Sequence, residues 1–175
     1  MYSWEQRKFG DYGKCKSGVG FPEREQGGKD GIPFYKVSDM NLSGNEKELI
    51  TANNYVSQEQ IDSNCWTIIK APAIFFAKVG AAVLLDRKRL VLSDFLLDNN
   101  TMAYKIDDNI WDCDFCYYTF QKTYLPNLIQ VGALPSYNGS QIESLSIFVA
   151  KNDEQKKIGT FFKELDNLIT LHQRK

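Results

Sequence analysis

Residues 152 to 175 constrain this chain more than any other stretch. Ile158, Phe161, Leu165, Leu168 and His172 follow one another at spacings of 3, 4, 3 and 4, and Phe162 and Ile169 widen the stripe. Asn152 followed by Gln155 supplies a cap signal. The spacing predicts a helix over 153–174, about 33 Å long at 1.5 Å per residue. Such an apolar stripe has to be covered. Spacing alone leaves two readings open: the helix folds back on its own sheet, or it forms a seam with another helix. Two to three heptads fall short of an ordinary coiled-coil signal.

The remaining chain is long enough to bury a core. The sequence has 175 residues, 43% of them hydrophobic and 25% charged, which excludes a disordered or collagen-like polymer. Its formal charge of −1 makes any charge argument a local one. The apolar runs Ala71 to Ala77 and Ala81 to Leu85 are far below the roughly 20 residues that span a bilayer. Trp4, Glu5, Arg7 and Lys8 are not followed by an apolar run, so no signal peptide is expected. A cytoplasmic, reducing setting follows, with Cys15, Cys65, Cys113 and Cys116 as free thiols.

Glycines at 10, 13, 18, 20, 27, 28 and 31 predict a loop-rich opening. Pro33 to Ser38 reads as a strand, and Ser57 with Gln60 as a capping box that starts a short helix. Short apolar runs at 73–77, 82–85 and 90–92 read as adjacent antiparallel strands, with further strands at 102–106 and 145–149. Residues 114–125 read as a helix stopped by Pro126. The fold class expected is α/β in the α+β sense: a mixed, mainly antiparallel sheet domain with a long C-terminal helix.

Catalytic signatures are sparse. Cys113 and Cys116 have CxxC spacing without a second pair, so no zinc site is expected. His172 is the sole histidine and lies in the apolar stripe, which favours a packed side chain over a triad or metal ligand. Gly18-Val19-Gly20 lacks the rest of a dinucleotide fingerprint, and no phosphate-binding loop occurs. Asp107, Asp108, Asp112 and Asp114 keep a metal-dependent nuclease open as an alternative. Yet residues 92–116 hold six acidic residues against one lysine, net −5, which repels DNA. Residues 70–89 carry Lys70, Lys78, Arg87, Lys88 and Arg89 against Asp86, net +4. With Tyr12, Lys14, Lys16, Tyr137, Asn138 and Gln141 on nearby loops, this stretch suits a groove-reading surface.

Several stretches together resemble the specificity subunit of type I restriction-modification systems. Trp4 to Asp11 resembles the opening of a target recognition domain, and Lys16-Ser17-Gly18 followed by Gly31 to Met40 resembles its first strand. Ala73 to Gly80 is similar to the family's central strand and glycine turn. Asn152 to Asp166, running on to Leu171-His172-Gln173-Arg174-Lys175, is similar to the start of its spacer helix.

The resemblance implies a target recognition domain over 1–151 and a spacer and dimerisation helix over 152–175. It implies double-stranded DNA as ligand, half of a bipartite target read by each recognition domain, and no catalysis or cofactor in this chain. S-adenosylmethionine is expected on DNA adenine-methyltransferase subunits, and ATP and Mg²⁺ on a restriction (motor and endonuclease) subunit. The absence of a Pro-Pro pair, and hence of the Asn-Pro-Pro-aromatic motif, agrees with that division. Full subunits carry two recognition domains and two helices, so the chain resembles a half subunit. A homodimer through Ile158, Phe161, Phe162, Leu165, Leu168, Ile169 and His172 is expected; a truncated remnant that binds nothing is the other alternative. The DNA-contacting residues expected are Lys36, Ser38, Lys78, Arg87, Lys88, Tyr137 and Asn138.

Overall fold

The computed structural model describes residues 4 to 129 and 134 to 173. In chain order it runs β1 (Glu5–Lys8), β2 (Gly13–Ser17), β3 (Ile32–Tyr35), β4 (Tyr55–Val56), α1 (Gln58–Ser63), β5 (Ala73–Ala77), β6 (Lys88–Val91), β7 (Leu96–Leu97), β8 (Thr101–Ile106), α2 (Cys113–Lys122), α3 (Gly139–Glu143), β9 (Ser146–Val149) and α4 (Asn152–Gln173). An antiparallel sheet with order β2-β8-β5-β6 carries the domain. Beside it lie a three-stranded sheet, β4-β3-β7, in which β3 and β7 are parallel, and the antiparallel pair β1-β9. The mixed, mainly antiparallel class expected from sequence is the observed one.

β5 shows no hydrophobic alternation because both of its faces are covered. Ile74 and Phe76 point with Met102, Tyr104 and Ile106 toward a layer holding Phe9, Trp111, Phe115 and Phe120. Ala73 and Phe75 point the other way, with Val91 and Ala103, toward Tyr35, Phe95 and Leu97. Tyr104 spans its layer and donates its hydroxyl to the Phe9 carbonyl at 2.7 Å.

Three elements depart from the sequence reading. The opening segment holds strand β2, whose polar Lys14 and Lys16 hid it. It is an edge strand, and its Cys15 N–H is satisfied by Glu143 Oε1 of α3 at 2.8 Å. Residues 82–85, expected as a strand, belong to the 3₁₀ turn Ala81–Leu85, in which Val83 is buried while Leu84 and Leu85 face out. The strand at 33–38 stops at Tyr35, and Val37–Asn41 turns into 3₁₀ geometry. There the buried Asp39 carboxylate accepts from Lys36 N at 2.6 Å, Asn53 N at 2.8 Å and Asn53 Nδ2 at 2.7 Å. The capping box at Ser57 and Gln60 starts α1 as expected.

The start of the α4 stripe is covered by its own chain. Its first turns pack on α2: Gln155 is buried, donates to the Ala150 carbonyl at 2.8 Å and accepts from Asp112 N at 3.0 Å. Ile158 packs on the core. Gly159 lets the helices touch, since a Cβ there would lie 2.9 Å from Phe115 N and 2.7 Å from Asp112 Oδ1. Lys163 pairs with Asp114 at 3.0 Å, and Asp166 accepts from Lys47 at 2.8 Å and Tyr118 at 2.7 Å. Beyond Ile158 the apolar side chains stay open: Phe161 is 61% exposed, Leu168 56% and Leu171 61%. His172, expected to be packed, is exposed.

Candidate nucleic-acid interface

Strand register decides which loops meet. β8 starts opposite the ends of β2 and β5, with Met102 across from Ser17 and Thr101 across from Ala77. β6 starts beside the end of β5, Lys88 pairing with Phe76. β3 and β7 run parallel and end together at Tyr35 and Leu97. Residues 17–19, 36–41, 78–87 and 98–100 therefore gather at one end of the molecule, at the ends of six different strands.

The turn from β7 into β8 ties these loops together. Thr101 N and Oγ1 both donate to the Asp98 carbonyl, at 3.0 and 2.7 Å, and Asn100 N donates to Asp98 Oδ1 at 3.2 Å. Asp98 N reaches the Tyr35 carbonyl at 3.0 Å, and Lys78 N reaches the Asn100 carbonyl at 2.8 Å. On the β2 side a Cβ at residue 18 would lie 1.8 Å from the Asp98 carbonyl oxygen, so only glycine permits this approach. The Asp98 carboxyl is shifted upward by burial, against hydrogen bonds from Asn100 and Thr101 and the charge of Lys36.

Cations that form no ion pair among the described residues stand at this end. Lys78 Nζ lies 3.5 Å from Ser17 Oγ, Lys36 Nζ donates to Gln26 Oε1 at 3.2 Å, and Arg87 Nη1 donates to Asn41 Oδ1 at 2.6 Å. Lys16 and Ser38 are exposed. The carboxylates of Asp39 and Asp98 are buried, and that of Asp86 is consumed by Lys88. Apart from the pull of Lys36 on the buried Asp98 carboxyl, these cations leave a local excess of positive charge at this end.

Two residues expected at this surface are not on it. Lys88 is 1% exposed, pairs with Asp86 at 2.7 Å and donates to the Thr123 carbonyl at 2.8 Å. Burial lowers its pKa, with Asp86 opposing the shift. Alternation along β6 turns Lys88 inward between its neighbours, which the charged run Asp86 to Arg89 could not reveal. Tyr137 is 5% exposed, and its hydroxyl donates to the Ala77 carbonyl at 2.7 Å. Asn138 is exposed but serves as the cap of α3, accepting from Gln141 N at 2.9 Å and Ser140 Oγ at 2.7 Å. Asn99 and Ser17, which carry no sequence signal beyond turn propensity, share the cationic end.

The aspartates of the nuclease alternative lie at the opposite end of β8. Asp107 accepts from Asn109 N, Asp112 caps α2 through Phe115 N at 2.9 Å, and Asp114 pairs with Lys163. Among the described residues no group of three or more His, Cys, Asp or Glu is placed to hold a metal ion. The Cys113 thiol is pushed up to about 12 by burial, with Asp114 and Asp112 adding to the shift, which opposes a reactive CxxC pair. No helix among the described residues is long and apolar enough to cross a membrane.

Known proteins match this architecture. A chain from a type I R-M system, solved in work on complex assembly and conformational transition, superposes with a TM-score of 0.74 at 13% identity, covering 98% of this chain and 40% of that one. The type I restriction-modification S subunit from M. genitalium gives 0.63 at 16% identity, covering 97% and 42%. The HsdS subunit from Thermoanaerobacter tengcongensis gives 0.65 at 12% identity, covering 98% and 39%. The chain thus spans about two-fifths of the length of these structures. No curated protein sequence matches it. A family model described as the type I restriction modification DNA specificity domain matches residues 1–175. The chain belongs to the type I restriction modification DNA specificity domain family.

Proposed function

We propose that this chain is a DNA-recognition unit without chemistry of its own, which reads one half of a bipartite duplex target in the cytoplasm. The observation that carries the reading is the gathering of Lys36, Lys78 and Arg87, with Ser38, at one end of the sheet, where adjacent carboxylates are buried or consumed. Unpaired cations on several loops suit phosphate contacts that fix register on a duplex. Residues 1–151 form the recognition domain, and 152–175 the spacer and dimerisation helix. The exposed stripe Phe161, Leu165, Leu168 and Ile169 is covered by a second copy, which under two-fold symmetry reads a gapped palindrome. Ile158 is already spent on the chain's own core, and Phe162 packs partly on Tyr118. Adenine-methyltransferase subunits carrying S-adenosylmethionine dock on the dimer, and an ATP-dependent restriction subunit joins them.

The test is selection from a randomised duplex pool by the complex that the chain forms in its host, followed by sequencing of the bound DNA. A gapped palindrome is expected. An asymmetric bipartite motif would replace the self-paired dimer with pairing to another recognition domain. No enriched motif would leave a folded remnant and refute the reading.

A further inference from the structure

Reading a base edge in the major groove requires a side chain that offers both a donor and an acceptor, is exposed, and is not already hydrogen-bonded. It must also ride on backbone that does not move. At the cationic end most amides fail one of these conditions. Asn41 gives its Oδ1 to Arg87 at 2.6 Å, and Asn100 is held by the Asp98 carboxylate through its backbone N–H at 3.2 Å and its amide at 3.4 Å. Gln26 accepts from Lys36 and donates to the Phe21 carbonyl at 2.8 Å. Asn138 is the α3 cap.

Asn99 meets all of them. It is exposed, and its amide has no partner among the described residues. Its turn is fixed on three sides: to β3 through Asp98 N, to β2 through Gly18 N donating to the Thr101 carbonyl at 3.3 Å, and to the end of β5 through Lys78 N. The turn belongs to β8, which is flanked by β2 and β5 within the sheet. Ser17 and Lys78 leave the strands on its two sides, and their polar ends meet beside the turn, Lys78 Nζ lying 3.5 Å from Ser17 Oγ.

We propose that Asn99 is a specificity-determining residue that reads adenine. This rests on the DNA-recognition reading above. The carboxamide donates to adenine N7 and accepts from adenine N6–H. Guanine, with two acceptors at the same edge, cannot satisfy the Oδ1, and no other base presents that acceptor and donor together.

The experiment compares the host complex containing wild-type chain, Asn99→Ala or Asn99→Asp, first by selection and then by competition with single-position variants of the wild-type motif. One A·T position per recognition domain loses its preference in both variants, and affinity for the adenine-containing site falls roughly 5- to 150-fold in Asn99→Ala. With 7-deazaadenine at that position, wild type loses affinity while Asn99→Ala is indifferent. Asn99→Asp keeps the turn chemistry, so its loss of preference separates base reading from folding. An unchanged motif, or an equal affinity loss on every sequence, overturns the assignment while leaving DNA recognition standing. Failure of wild type to select any motif overturns both.

Discussion

The buried pair Asp86–Lys88 gives the sharpest test of how the cationic end is built. Lys88 is 1% exposed and Asp86 15%, at 2.7 Å from each other. Asp86 also accepts from Leu125 N at 3.3 Å and sits in the left-handed region at φ 48°. Asp86→Ala leaves the ammonium in a site where burial already disfavours its charge, with only carbonyl partners at Thr123 and Asp86. Removing one member of a buried pair costs about 3–5 kcal/mol. Alanine in the left-handed region adds about 1 kcal/mol. At a urea slope of about 2 kcal/mol/M the midpoint falls by roughly 2–3 M. The double variant Asp86→Ala with Lys88→Met buries no unpaired charge. Its main remaining cost is the Thr123 carbonyl left without its lysine donor, about 1–3 kcal/mol, so it unfolds at higher urea than the single variant. A single-variant cost below about 1 kcal/mol, or a double variant no more stable than the single, would refute the claim that the pair is buried and mutually dependent.

Three further outcomes are expected. Lys78→Ala lowers the slope of log affinity against log salt by about 0.9, whereas Lys88→Met leaves it unchanged; an unaltered slope in Lys78→Ala removes that lysine from the interface. Phe161→Asp converts a dimer to a monomer in sedimentation at micromolar concentration, and a wild-type monomer under the same conditions would exclude the helix-mediated dimer. For Asp166, burial raises the carboxyl pKa but is outweighed by hydrogen bonds from Lys47 and Tyr118, so the folded value lies below the ordinary one. Its stabilisation is therefore fully present above the unfolded pKa of about 3.9 and lost as pH falls through the lower folded value. The stability difference between wild type and Asp166→Asn thus holds constant above about pH 5 and shrinks in acid; a difference that grows in acid contradicts the sign.

Apolar periodicity was enough to determine the class of the chain and its main supports. The heptad-like stripe from Ile158 to His172 marked a helix, the unbroken run Ala73 to Ala77 marked a strand, and Ser57 with Gln60 started α1 where the capping box stands. These signals are local: spacing along the chain is spacing along an element. What tertiary structure decided was which side of an element each polar residue occupies. Lys78 and Lys88 are both lysines in one basic stretch, yet β-sheet alternation and the position of Thr123 bury the second and leave the first at the cationic end. Asn138 and Asn99 are both turn asparagines, but α3 consumes the amide of one while the β7–β8 turn leaves the other without a partner among the described residues. Likewise only the packing of α4 on α2 shows that the stripe is covered at Ile158 and open from Phe161 onward. A side chain's partners come from strands distant in sequence, and a one-residue change of register would exchange every one of them.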